Sequence, residues 1–275
     1  MQLATFRTHS GGTCAAVLRD EQWQAIDADD VGEVLKETGL QEILPSTKLA
    51  VLDGLEEPLP VVLNPAKVVC CGHNYRAHIA EMGHPVPDHP TLFTKFADTL
   101  TGATSNIEIP AYASDSIDWE AELAVVVGAT LHRADRATAS RGIAGYTVAN
   151  DISVRTWQRR TGQWLPGKAF DGTTPMGPMM VTADEVDPSD GLTIRCRVNG
   201  VEYQRASTND LVFDAADMLC YISSFTVLRP GDIVLTGTPG GVGAAHTPPR
   251  FLTDGDVVET SIEGIGTMRN QIRVT

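Results

Sequence analysis

Apolar and polar residues alternate near positions 2–7 and 14–18, the period-two signature of half-buried strands, and Val31–Thr38 shows the wider spacing of a short helix. Prolines then crowd the chain. Glu56-Glu57-Pro58-Leu59-Pro60 is followed closely by Asn64-Pro65, and proline at this density interrupts regular structure and marks a linker. The pattern predicts a small N-terminal domain over residues 1–64 and a larger domain over residues 65–275.

The larger part is rich in strand signals. Asn199-Gly200 separates Ile194–Val198 from Val201–Gln204, the strongest short-range mark of a hairpin. Pro230-Gly231 precedes the apolar run Ile233–Leu235, and two further alternating segments between Val257 and Val274 are split by Gly264 and Gly266. One helix stands out: Asp214 can cap a segment whose apolar residues Ala215, Met218, Leu219, Ile222 and Phe225 recur near helical spacing. Many strands, few helices and no strand–helix alternation predict a strand-rich α+β fold, a mixed β-sandwich or β-roll, and weaken a Rossmann reading.

Composition narrows the class. With 42% hydrophobic and 20% charged residues in 275, the chain is an ordinary globular protein. No apolar run approaches the roughly 18–20 residues of a membrane span, and Met1–Arg7 lacks the basic-then-apolar order of a signal peptide. A cytoplasmic protein with no membrane partner is expected. The formal charge of −14 opposes a nucleic-acid partner, because a phosphate backbone would be repelled. Cys14, Cys70, Cys71, Cys196 and Cys220 form an odd set without CxxC spacing, which suits free thiols in a reducing compartment.

The most informative chemistry lies in Ile117-Asp118-Trp119-Glu120-Ala121-Glu122-Leu123-Ala124-Val125-Val126-Val127-Gly128. On a strand, Glu120 and Glu122 point to one face, and two carboxylates side by side repel unless a cation or proton lies between them. A second apolar strand, residues 143–150, ends on Asp151 and can bring a third carboxylate. Oxygen-only ligands select Mg²⁺, Mn²⁺ or Ca²⁺ over zinc. The rival reading is a solvated acidic face on an edge strand.

Four runs make the chain resemble the fumarylacetoacetate hydrolase family: Gly72–Gly83, which reads GHNYRAHIAEMG, Asp118–Val126, Gly145–Asp151 and Thr236-Gly237-Thr238-Pro239. They stand in the family's order and spacing, and the similarity covers roughly residues 65–275. The resemblance implies that Glu120, Glu122 and Asp151 ligate a divalent metal, normally Mg²⁺ or Mn²⁺. It also implies a β-roll catalytic domain, a small N-terminal domain and usually a homodimer.

His78 and Glu81 are three apart in a predicted helical turn, where a carboxylate can orient an imidazole for base catalysis. A surface salt bridge is the rival reading; the resemblance implies the dyad that activates water in short family members. The following residues 84–90 are loop-like and are expected to act as a lid. Lys168 matches the family's active-site lysine: three carboxylates and one divalent ion give −3 + 2 = −1, which a single ammonium neutralises. Arg155 and Gln158, four and seven residues after Asp151, and Thr238 fall where the family contacts substrate, although Arg159 and Arg160 make a solvated basic face a rival for that stretch. Residues 237–243 lack the spacing of a nucleotide loop. One departure is Phe96, where the family commonly has proline after lysine, and it is expected to reshape the pocket wall.

These features predict a metal-dependent hydrolase that cleaves a C–C bond in a 2,4-dioxo acid, such as an acylpyruvate or fumarylpyruvate, to give pyruvate and a second acid. Isomerisation of a 2-hydroxy-diene-dioate, or decarboxylation of a 2-oxo acid such as oxaloacetate, is the alternative at the same site. A non-catalytic metal- or ligand-binding module is opposed by the presence of His78, Glu81 and Lys168 together.

Overall fold

The computed structural model describes residues 1–9, 11–37, 51–52, 57–81, 83 and 85–275. A ten-stranded sheet dominates it. Its order runs Gln22–Ala25, Thr13–Arg19, Gln2–Arg7, Thr174–Thr182, Ile143–Asn150, Ala121–Val127, Ile233–Leu235, Val68–Gly72 and Thr91–Lys95, with Leu100–Thr101 branching from Thr174–Thr182. A five-stranded sheet lies against it, in the order Val201–Ser207, Thr193–Val198, Val257–Ile262, Gly266–Val274 and Ile107–Ile109. The expected strand-rich α+β architecture is present.

Ala121–Val127 explains how the layers hold together. Every residue of this strand is buried, as a near-continuous apolar run requires when both faces are covered. Leu123, Val125 and Val127 enter a core shared with Ile194, Cys196, Val198, Val258 and Ile262 of the smaller sheet. Ala124 and Val126 face the other way, into a core with Leu3, Val31, Leu35 and Ile233. The smaller sheet has one wet face: Thr193–Val198 and Val257–Ile262 alternate between buried and half-buried positions.

Local signals place several elements well. Asn199 and Gly200 adopt φ of 51° and 80°, as a primed hairpin turn demands, and join the strands Thr193–Val198 and Val201–Ser207. Asp214 accepts from the Asp217 N–H, whose carboxylate reciprocates, to form a capping box on the helix Ala215–Ser223. Phe225 lies beyond that helix and is 64% exposed, so it is not part of the buried stripe. The first helix is Val31–Glu37; Thr38, Glu56, Met82 and His84 lie outside the described residues. The predicted boundary near residue 64 falls in irregular chain, and strands on both sides of it share one sheet, because Gln2–Arg7 pairs with Thr174–Thr182. All five cysteines are free. Among the described residues, no helix is long and apolar enough to cross a membrane.

Candidate metal and active site

Strand register brings the carboxylates together. Ala149 pairs with Glu122, and Asn150 with Ala121, across two antiparallel central strands. Where the ladder ends, the Asp151 N–H donates to the Glu120 carbonyl at 2.9 Å, and the Asn150 side-chain oxygen accepts from the Glu120 N–H at 2.9 Å. Glu120 itself precedes the strand, yet these two bonds keep it on the side of Glu122. Carboxylate oxygens of Glu120, Glu122 and Asp151 lie within 4.8 Å of one another, and all three residues are buried. Gly237 closes the rear, donating its N–H to Glu122 Oε2 at 2.7 Å. It sits at φ +97°, and a Cβ there would come within 2.9 Å of the Cys71 carbonyl oxygen, so glycine is required.

Three buried cations interleave with these anions. Lys168 Nζ donates to Glu120 Oε2 at 2.7 Å and to Asp151 Oδ2 at 2.9 Å. Lys95 Nζ donates to the other Asp151 oxygen. Arg155 donates from Nε to Asp118 Oδ2 at 2.7 Å, pairs with Glu120 Oε1 at 2.6 Å, and reaches Gln158 Oε1 at 2.9 Å. Asp118 also accepts from the backbone N–H groups of Gly243 and Ala244, at 2.6 and 2.9 Å. This ties the loop after Thr238 to the same cluster.

The electrostatics follow from burial and charge order. Burial, then the neighbouring Asp151 and Glu120 charges, push the Glu122 carboxyl well above the ordinary range. Burial also acts to raise Asp151, but Lys168 and Lys95 outweigh it and hold that carboxyl below its usual value. Burial disfavours the Lys168 ammonium, yet Asp151 and Glu120 keep it above its normal value, so it stays charged. Taken with Lys95, the count differs from the one made on the sequence. Counted formally with every group ionised, three carboxylates and two ammonium groups give −3 + 2 = −1, while Asp118 and Arg155 cancel. A divalent ion would make the cluster +1, matching one substrate carboxylate. An all-oxygen, buried and net-negative donor set fits a hard divalent cation.

A cavity of about 580 Å³ opens onto this cluster, and Glu120, Lys168, Arg155, Gln158, His78 and Thr238 all line it. Its apolar wall includes Phe93 and Trp164, whose rings meet edge to face at 5.5 Å. Glu122 and Asp151 are not among the lining residues. His78 Nδ1 lies 3.2 Å from Glu81 Oε2. A carboxylate has no proton to give, so Nδ1 donates in this pair and, in the neutral ring, Nε2 is the acceptor. Glu81 is on the far side, lining a neighbouring hollow that His78 also borders.

Lys95 was not singled out from the sequence, although a signal existed. It shares the parity of Phe93 on the strand Thr91–Lys95 and is 3% exposed, and a buried lysine demands a carboxylate. Gln204 was missed too: it accepts from the Ala121 N–H at 3.0 Å and donates to Thr238 Oγ1 at 2.8 Å, linking the Thr238 turn to the Glu122 strand. One expectation is corrected. Phe96 is 55% exposed and Phe93 forms the wall, because Phe96 lies one residue past the strand Thr91–Lys95, on extended backbone that leads into a turn at Ala97–Thr99. None of residues 85–90 lines the cavity; His89 instead stacks on Tyr221, with ring centres 5.9 Å apart.

Residues 67–273 match the family model described as fumarylacetoacetate (FAA) hydrolase C-terminal. The chain is 45% identical over 230 residues to the mitochondrial oxaloacetate tautomerase FAHD2A of Bos taurus, a match covering 82% of this chain and 73% of that one. Among solved structures it is similar to a fumarylacetoacetate hydrolase from Exiguobacterium antarcticum, at TM-score 0.91 and 33% identity over 100% of both chains. It is also similar to a 5-carboxymethyl-2-hydroxymuconate delta-isomerase from Mycobacterium smegmatis, at TM-score 0.82 and 32% identity, covering 100% of this chain and 99% of that one.

Proposed function

This chain belongs to the fumarylacetoacetate hydrolase family, and we propose that it is a divalent-metal-dependent enzyme that interconverts keto and enol forms of a small 2-oxo dicarboxylate of the oxaloacetate class. The acylpyruvate hydrolase expected first from the sequence gives way to the proton-moving alternative. The names of the bovine relative and of the isomerase neighbour both describe relocation of a proton and a double bond. The observation that carries the reading is one cavity lined by an oriented imidazole, a buried ammonium and Glu120, the member of the three-carboxylate cluster that faces it.

Glu120, Glu122 and Asp151 would hold the cation, Mg²⁺ or Mn²⁺ in our reading, which when bound supplies Lewis-acid polarisation of the substrate's 2-oxo group. His78, kept in one tautomer by Glu81, takes the proton from C3 on Nε2. The C–H electron pair becomes the C2–C3 double bond, and the carbonyl π pair moves to the C2 oxygen. Lys168 has two of its three N–H groups engaged by Glu120 and Asp151, and offers the third to that oxygen. His78 then returns its proton to oxygen, which completes the enol. A homodimer and a substrate limited to small 2-oxo carboxylates belong to the same proposal, and sedimentation tests the former.

Hydrolysis of an acylpyruvate is the second reading, favoured by the same His78–Glu81 pair, since an imidazole that accepts a proton from carbon can accept one from water. The deciding experiment supplies Mg²⁺-loaded protein with the enol form of oxaloacetate and follows enol absorbance and pyruvate release together. Enol loss without pyruvate supports tautomerisation. Pyruvate released in step with enol loss means decarboxylation, and faster cleavage of acetylpyruvate restores the hydrolase.

A further inference from the structure

Among the described residues, the lysine and arginine side chains on the cavity wall are matched by carboxylates, with one exception. Arg155 meets Asp118 and Glu120, and Lys168 meets Glu120 and Asp151. Arg159 lines the same cavity, and its guanidinium meets no carboxylate among the described residues. A shortage of anions does not explain this, since the chain carries 35 acidic residues against 21 Lys and Arg. The adjacent Arg160 is engaged elsewhere, its guanidinium 3.7 Å from the centre of the Trp157 ring. Two neighbouring arginines therefore have different surroundings.

The backbone under Arg159 is held firmly. It caps the short helix Arg155–Gln158, with its N–H donating to the Arg155 carbonyl at 3.1 Å. The helix Leu165–Lys168 packs directly on that end: a Cβ on Gly167 would come within 2.3 Å of the Gln158 nitrogen. Lys168 follows Gly167, so this contact brings the backbone that carries the buried lysine beside the backbone that carries the exposed arginine.

We propose that Arg159 determines specificity by binding the distal carboxylate of a dicarboxylic 2-oxo acid, while the 2-oxo end lies at the Lys168 cluster. The proposal rests on the tautomerase reading for where the substrate's head lies. A guanidinium forms two parallel bonds with a carboxylate, a geometry that lysine's point charge does not reproduce. Monocarboxylic 2-oxo acids forgo this contact and bind by the head alone.

The test compares wild type, Arg159→Gln and Arg159→Lys as Mg²⁺-loaded proteins. Calorimetry measures binding of 2-oxoglutarate and 2-oxobutyrate, which share a head and differ in the distal carboxylate, and steady-state kinetics follow oxaloacetate. Arg159→Gln should weaken 2-oxoglutarate about 10- to 100-fold, leave 2-oxobutyrate as in wild type, and raise KM for oxaloacetate to the same degree. Arg159→Lys should recover part of the loss. Equal weakening of both acids, or unchanged binding of 2-oxoglutarate, overturns the proposal. If oxaloacetate is not turned over but Arg159 still sets the preference for 2-oxoglutarate, the tautomerase reading falls and the carboxylate site stands. If oxaloacetate turns over and Arg159→Gln changes nothing, the site falls alone.

Discussion

Lys95 and Asp151 form an ion pair whose side chains are both fully shielded from solvent, 56 positions apart in the chain. With Lys168 on the other oxygen, Asp151 is held between two ammonium groups. Removing one partner of such a pair leaves an uncompensated buried charge. Lys95→Met should therefore destabilise the metal-free protein by about 3–5 kcal/mol, and added Mg²⁺ should recover part of that loss. Urea unfolding with and without the cation checks this. Unchanged stability of the metal-free variant would remove Lys95 from the cluster's charge balance.

The raised Glu122 carboxyl gives metal-free protein a pH dependence of definite sign. An acid whose folded pKa lies above its unfolded value holds its proton longer in the native state. Its effect is absent below the ordinary range near 4.5 and appears as stability lost while pH rises from there towards the raised value. The slope is at most about 1.4 kcal/mol per pH unit for the one group. Asp151 works in the opposite sense: its lowered pKa contributes stability above the ordinary aspartate value that is lost as pH falls. Glu122→Gln should abolish the loss on the alkaline side and spare the acid side. A variant with the wild-type slope throughout would assign that slope to another group.

Cation binding should depend on the same residue. Chelator-treated protein is expected to bind Mg²⁺ or Mn²⁺ in calorimetry, and Glu122→Ala should weaken binding by more than about 100-fold. Similar affinity in both proteins would move the ion away from the Glu120, Glu122 and Asp151 cluster.

His78 should act in chemistry and leave the cation alone, because its ring pairs with Glu81 and is not bonded to the cluster. His78→Ala should keep Mg²⁺ affinity and inhibition by oxalate, while kcat for oxaloacetate tautomerisation falls about 10²- to 10⁴-fold. Wild-type turnover in this variant would return the His78–Glu81 pair to a surface salt bridge.

Features set by a few adjacent residues could be read from the sequence alone. The Asn199-Gly200 turn and the Asp214 cap depend on backbone preference, which acts over two to four positions, whereas Glu120, one residue ahead of its strand, is kept beside Glu122 by bonds to Asn150 and Asp151. The assignment of His78, Glu81 and Lys168 came from the family resemblance, since imidazole, carboxylate and ammonium side chains are common on any surface. Tertiary structure decided the rest. Lys95 finds Asp151, and Gln204 bridges Ala121 to Thr238, because sheet order and sheet stacking bring distant strands into register. Gln2–Arg7 joins Thr174–Thr182 for the same reason, whereas Phe96 turns outward and Arg159 meets no carboxylate among the described residues at the cavity wall. Which partner a buried charge meets depends on the packing of whole layers, and local pattern carries no information about that.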